Sequence, residues 1–302
     1  MQNKKYSLLP YIREDIYGVD RSKQIIGWEI TKLNIEKQWE KSEGEDIKIA
    51  VIDTGCDLDH DDIKENLLQG KNFVEPNSDP YDKNGHGTHV AGTIVAPNNG
   101  YGMVGVAPKA KILPVKALGN NGSGNLRNII DAIKWSADNE ADLITMSLGS
   151  PSNSDELYKA IEYADNKGSI LFCAAGNSGT DSDLMYPAKY SQAISIGAID
   201  ENLNRTDFTC SGDELDFLAP GHNILSCVPG NNYALMSGTS MSNPFAVGCA
   251  ALVMSFYKRK FGKKLSKQDL VDILKKTALS LKEERFKGIR KYEGYGIIYP
   301  VL

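Results

Sequence analysis

The chain has 302 residues, 41% of them hydrophobic and 24% charged, with a formal net charge of −5. That length suits one large α/β domain with a sizeable core; no basic block points to nucleic acid, and no run approaches the roughly 18 apolar residues of a membrane span. The five cysteines (Cys56, Cys173, Cys210, Cys227 and Cys249) are odd in number and irregular in spacing, so they read as buried thiols in a reducing compartment.

The N-terminus carries Lys4 and Lys5 but no apolar stretch of about 7–15 residues after them. It is not a secretory signal, and a cytoplasmic location is expected. Residues 1–22 hold Leu8-Leu9-Pro10-Tyr11 and then a charged stretch from Arg13 to Arg21. They do not look like part of a core and read as an extended arm; residues 23–302 read as one domain. Ile30, Leu33, Ile35 and Trp39 mark an imperfect amphipathic helix over 30–41. Residues 47–52 are a nearly continuous apolar strand of the kind a doubly covered parallel sheet needs, ending at Asp53-Thr54-Gly55. Residues 56–85 are polar and read as loop.

A helix is expected from His86 through Val90, Ile94 and Val95, stopped by Pro97-Asn98-Asn99-Gly100. A strand at 111–116 leads into a glycine loop, Gly119 to Gly124, and a helix follows from Leu126 to Trp135. A strand at 143–146, a helix at 156–166 and strands at 170–174 and 193–199 come next. Strands alternating with helices predict a doubly wound parallel sheet with helices on both faces. After Asp200 the pattern turns hairpin-like up to Ala234-Leu235-Met236. Two helices close the chain, one around Ser240 and one over 267–277.

In open parallel sheets, reactive residues collect at the carboxyl ends of the strands. Asp53 and Asn177 each follow a strand, while His86 and Ser240 each stand at the start of a helix. Serine is also a common helix N-cap, and Gly238-Thr239-Ser240 alone favours that bland reading. The four residues together are what acyl transfer requires. A serine hydroxyl needs a base near its operating pKa, the base needs a carboxylate to fix its tautomer, and the tetrahedral oxyanion needs an amide donor.

Rival readings are weaker. Asp-Thr-Gly occurs only once, whereas an aspartic protease needs two. His86 and His89 share a helix face but lack a third metal ligand in pattern. Gly100-Tyr101-Gly102-Met103-Val104-Gly105 spells a dinucleotide fingerprint but follows no strand, and Pro108 breaks any helix after it. Gly238-Thr239-Ser240-Met241-Ser242 is not the nucleophile elbow of α/β-hydrolases. Asn204-Arg205-Thr206 is a glycosylation sequon by letter only.

The order Asp, His, Ser and the flanking residues resemble the subtilisin-like serine proteases. The matching pieces are Val51-Ile52-Asp53-Thr54-Gly55, Asn84-Gly85-His86-Gly87-Thr88-His89, Val104 to Pro108, Ser147-Leu148-Gly149, Ala174-Ala175-Gly176-Asn177 and Ser237 to Pro244. The resemblance implies Asp53 as orienting acid, His86 as general base, Ser240 as nucleophile and Asn177 as oxyanion donor. It implies protein or peptide substrates lying as an added strand against Gly122-Ser123-Gly124 and Ser147-Leu148-Gly149. Met185 would floor the first non-prime (S1) pocket and Leu126 the fourth (S4), favouring apolar side chains. It also implies a structural calcium held by Asp62, Pro97, Asn99, Tyr101 and Met103, with backbone carbonyls at Pro97, Tyr101 and Met103; no N-terminal ligand can be placed.

Leu8-Leu9-Pro10-Tyr11 is similar to a motif of bacterial intracellular subtilisins, in which a short N-terminal segment crosses and blocks the active site. That resemblance makes residues 1–22 an intramolecular inhibitor, with Pro10 holding the backbone off the productive register. The chain departs from the family at Ser242, where alanine is usual, and at Phe245, where histidine is usual; Phe245 is expected to alter packing alone. Two other functions stay open: a dedicated leader peptidase maturing a lantibiotic-like precursor, and a silent module that binds peptides without cutting.

Overall fold

The computed structural model describes residues 5–16 and 22–302. Part of the expected arm, residues 1–4 and 17–21, lies outside the described residues. In chain order the elements are β1 (Lys5–Leu8), β2 (Ile12–Ile16), α1 (Trp28–Lys32), α2 (Ile35–Trp39), β3 (Lys48–Asp53), β4 (Lys71–Asn72), α3 (His86–Val95), β5 (Lys111–Lys116), β6 (Ser123–Asn125) and α4 (Leu126–Asp138). Then follow β7 (Leu143–Met146), β8 (Leu148–Gly149), α5 (Asp155–Asn166), β9 (Ile170–Ala174), β10 (Ala193–Ile199), β11 (Phe217–Pro220), β12 (Ile224–Val228), β13 (Asn232–Ser237), α6 (Thr239–Phe261), α7 (Lys267–Thr277) and α8 (Arg290–Glu293).

Seven strands form the central parallel sheet in the order β11-β10-β9-β7-β3-β5-β4. Its inner strands are buried along nearly their whole length, which is why they read as apolar runs rather than alternating ones. Two helix pairs cover the sheet, α3 with α6 and α4 with α5. The doubly wound α/β architecture expected from the sequence is present.

Helix α6 is buried on every side from Thr239 to Ser255, and Phe245 lies wholly inside the core. Each such apolar side chain contributes roughly 1.5–3 kcal/mol on leaving water. Helix α4 instead buries one face (Ile129, Ile130, Ile133) and begins where the Asn125 side chain accepts from the Asn128 amide at 2.8 Å. Helix α7 starts with a capping box between Ser266 and Asp269.

Several local expectations are corrected. The helix expected over 30–41 is two short ones, because Asn34 sits at φ 50 in the left-handed region and breaks the ladder. The loop 56–85 contains β4, which pairs with β5. The glycine loop ends in a strand, β6. Past Asp200, β11 joins the main sheet in parallel with β10, and only β12–β13 is a hairpin. The arm, expected to lie outside the core, is extended but joins it in part: Tyr6 and Leu9 are buried at 0% and 3%.

Glu29 lies buried in the first turn of α1, with its carboxylate folded back on Gly27 and no salt-bridge cation beside it among the described residues. Desolvation raises its pKa to about 7. The folded value is above the ordinary one, so its contribution to stability is full below about pH 4.5 and is lost as pH rises through 7. In a Ser240→Ala background, Glu29→Gln is expected to leave urea stability unchanged at pH 4.5. At pH 8 it should raise stability by about 3 kcal/mol.

Candidate active site

Strand β3 delivers Asp53 to the carboxyl edge of the sheet, 1% exposed, where the Thr54 amide donates to its Oδ1 at 2.7 Å. Helix α3 begins at His86, after Gly85 at φ 105, and its imidazole is fully buried. His86 Nδ1 lies 2.9 and 3.0 Å from the two Asp53 oxygens. A carboxylate only accepts, so Nδ1 carries the proton and Nε2 keeps its lone pair.

The two ends are tied by Asp82. Its Oδ1 accepts from the Thr54 hydroxyl (2.9 Å) and from the Asn84 and Gly85 amides (2.8 and 3.0 Å). Its Oδ2 accepts from the Thr88 amide and hydroxyl at 3.0 and 2.7 Å. Beneath them the buried ammonium of Lys116 donates to the Thr54 carbonyl and to Asn120, and burial lowers its pKa. Asp82 and Lys116 were not singled out from the sequence, because Asp82 is one of several aspartates in a polar loop.

Ser240 is the second residue of α6, not its cap; the N-cap is Gly238. Pro244, inside the helix, has no N–H for the carbonyl four residues back, that of Ser240. The Ser147 hydroxyl donates to that carbonyl at 3.1 Å. The Ser240 hydroxyl in turn donates to the Ser147 carbonyl at 3.4 Å, while His86 Nε2 has no hydrogen-bond partner among the described residues. Asn177 follows β9, and its Oδ1 accepts from the Thr239 amide (2.9 Å) and hydroxyl (2.8 Å). With Oδ1 so used, Nδ2 faces the cleft.

The arm fills that cleft. Strand β1 lies antiparallel between β6 and β8, pairing Tyr6 with Gly124, Ser7 with Ser123 and Gly149, and Leu8 with Leu148. The Leu8 amide donates to the Gly122 carbonyl at 2.9 Å. A Cβ on Gly149 would come within 2.9 Å of both Leu9 Cδ2 and Met185 Cβ, so the bare glycine leaves the space in which Leu9 sits beside Met185. Leu126 packs against the same core cluster that Tyr6 joins. Asn177 Nδ2 donates to the Pro10 carbonyl at 2.6 Å, and the Tyr11 ring lies 5.0 Å from the His86 ring. Consecutive arm residues thus touch both halves of the site. Ser147 is the one expected strand-docking residue outside this pairing; it serves Ser240 instead.

The subtilase family model matches residues 44–296. The chain belongs to the subtilase family. It is 41% identical over 269 residues to the intracellular serine protease of Paenibacillus polymyxa, covering 86% of this chain and 81% of the relative. It is 39% identical over 290 residues to the major intracellular serine protease of Bacillus subtilis (strain 168), covering 92% and 90%. Subtilisin DY of Bacillus licheniformis is 39% identical over 269 residues, covering 88% and 96%.

In this subtilase the residues named for calcium lie around one point. The Gln24 side-chain nitrogen donates to the carbonyls of Pro97 (2.6 Å), Tyr101 (3.2 Å) and Met103 (3.0 Å). Asn99 Oδ1 accepts from the Tyr101 amide at 3.0 Å, and Asp62 Oδ2 from the Met103 amide at 2.7 Å. Three carbonyls converging on one polar atom, with a carboxylate and two side-chain amides at hand, are a hard-oxygen donor set that fits Ca²⁺. Amide nitrogen and oxygen are exchanged by a flip, so Gln24 can turn its oxygen to the same point. Sequence reasoning did not bring Gln24 to these carbonyls, since nothing local signals a contact with Pro97 across 73 residues. Among the described residues no three His, Cys, Asp or Glu side chains form a metal cluster. His89 is no metal ligand: its Nε2 is 3.0 and 3.2 Å from the Ile224 and Ala234 carbonyls, and desolvation lowers its pKa to about 3.

Removing the Ser147 hydroxyl leaves a buried carbonyl at Ser240 unpaired. In a Ser240→Ala background, Ser147→Ala should cost about 1–3 kcal/mol in chemical denaturation. Adding Pro244→Ala supplies the missing helical N–H and should recover part of that loss, which a double-mutant cycle will read.

Proposed function

We propose that this subtilase is an intracellular serine endopeptidase, made with residues 1–22 as its own inhibitor and stabilised by structural calcium. The observation that carries the reading is the Pro10 carbonyl on Asn177 while Leu9 occupies the pocket beside Met185. In a productive complex the residue whose side chain fills that pocket also presents its carbonyl to the oxyanion donor. Here the carbonyl belongs to the next residue, so the arm is one step out of register. The Pro10 ring cannot follow Leu9 into the pocket.

Once the arm is displaced, the Ser240 hydroxyl turns from the Ser147 carbonyl to His86 Nε2. His86 takes its proton as the oxygen attacks the peptide carbonyl, and Asp53 stabilises the imidazolium. The oxyanion meets Asn177 Nδ2. The departing amine takes the proton back from His86, and water repeats the cycle on the acyl-enzyme. Intact Asp53, His86, Ser240 and Asn177 favour cutting over silent peptide binding. The names of the two intracellular relatives support the location; no helix among the described residues is long and apolar enough to cross a membrane. Calcium would be held by Asp62, Asn99, Gln24 and the carbonyls of Pro97, Tyr101 and Met103; it links the chain's start to the loop after α3 and takes no part in the reaction.

Three outcomes test this. A fluorophosphonate probe should label the wild type and not Ser240→Ala, and mass spectrometry over time should show arm loss only where labelling occurs; an intact arm in labelled, active protein sinks the inhibitor role. Asn177→Ala should lower kcat about 10²–10³-fold with little change in KM, the loss known for the equivalent amide of subtilisin itself. A chelator should lower the melting temperature of Ser240→Ala, with excess calcium restoring it, and Asp62→Asn should erase the difference.

A further inference from the structure

The two halves of the arm are held by different physics. On the non-prime side Tyr6 and Leu9 are buried in pockets. On the prime side β2 pairs antiparallel with β13 over five residues, from Ile12 opposite Ser237 to Ile16 opposite Tyr233. There Ile12 is 66% exposed, and Arg13, Glu14 and Asp15 are exposed as well. Among the described residues, the side chain that ties this stretch to the body is Arg13, which donates to the Asn84 carbonyl at 3.0 Å. The main chain therefore carries most of the docking. In the body alone β13 has β12 on one side only, which leaves a five-residue edge whose N–H and C=O groups ask for an extended partner.

We propose that this β13 edge is an extended prime-side subsite, which takes the stretch of a polypeptide substrate about three to seven residues beyond the cut as an added strand, whatever its side chains. The inference rests on the endopeptidase reading above. It names the substrate class as unfolded or locally extended polypeptide rather than short peptides, because a folded segment or one ending soon after the cut cannot pair with the edge. The arm is the evidence for the fit, since it is a chain of the same kind already seated there. Selectivity then falls to the buried non-prime pockets, and the prime side adds grip without choosing sequence.

The test uses one preparation made as the full chain and shown by mass spectrometry to have shed its arm through residue 16, so that the β13 edge is open, and reads rates as ratios. Internally quenched peptides share one non-prime half ending in leucine and carry two, four or eight residues after it. kcat/KM should rise roughly tenfold from two to eight, mostly between four and eight, as ladder hydrogen bonds form. In the eight-residue peptide, single N-methylation at each of residues three to seven after the leucine should lower the rate at alternate positions only, because successive N–H groups of a strand point to opposite sides. Alanine at the same positions should change it less than twofold. A flat length series, an N-methyl effect without the two-residue period, or a dominant side-chain effect overturns the subsite while the shortest peptide is still cut. If no peptide is cut and no probe labels Ser240, the endopeptidase reading falls and the subsite with it.

Discussion

The first turn of α6 is the part of the molecule on which the rest of the site depends. A helix buried on all sides must enter the sheet edge at one fixed place, and groups from the ends of two strands, β7 and β9, hold it there. Ser147 bonds the Ser240 carbonyl that Pro244 leaves free, and Asn177 Oδ1 takes both the amide and hydroxyl of Thr239. Asn243 Nδ2 donates to the Thr145 hydroxyl at 2.8 Å and reaches the Phe172 carbonyl at 3.3 Å, bridging β7 and β9. The same bonds that settle where Ser240 stands also turn Asn177 so that its donor faces the cleft. Position and electrostatics of the site come from one set of contacts.

The Asp53–His86 half is built by the opposite device. No helix is driven into the sheet; instead a buried carboxylate, Asp82, gathers five donors from the end of β3, the loop and the start of α3. Both oxygens are thereby satisfied without a salt bridge. The loop before α3 is thereby as well fixed as the helix itself, and the imidazole enters with one nitrogen already committed to Asp53.

The arm touches both halves, with Leu9 beside Met185 and the Pro10 carbonyl on Asn177. Its strand pairing and the burial of Tyr6 and Leu9 account for its hold. The departures at Ser242 and Phe245 do not touch this. Phe245 packs in the core, as its place on α6 led one to expect, and nothing in the structure explains the buried Ser242 hydroxyl, which has no partner among the described residues.

Much of this was legible in the sequence, where local chemistry and element type suffice. Continuous apolar strands alternating with helices implied the parallel sheet, and an Asp, an Asn and two helix-starting residues at strand ends implied the reacting groups, because their neighbours carry the pattern. What only the tertiary structure decided involves contacts across long separations or competition between local preferences. Ser240 as a helical residue rather than a cap depends on Gly238 and on Ser147, 93 residues away. Gln24 at the metal loop, Asp82 at the junction, the parallel placing of β11 and the burial of Tyr6 leave no local mark. The arm reads from its residues as extended and outside any core, since a short strand acquires its partners only from the edges it meets.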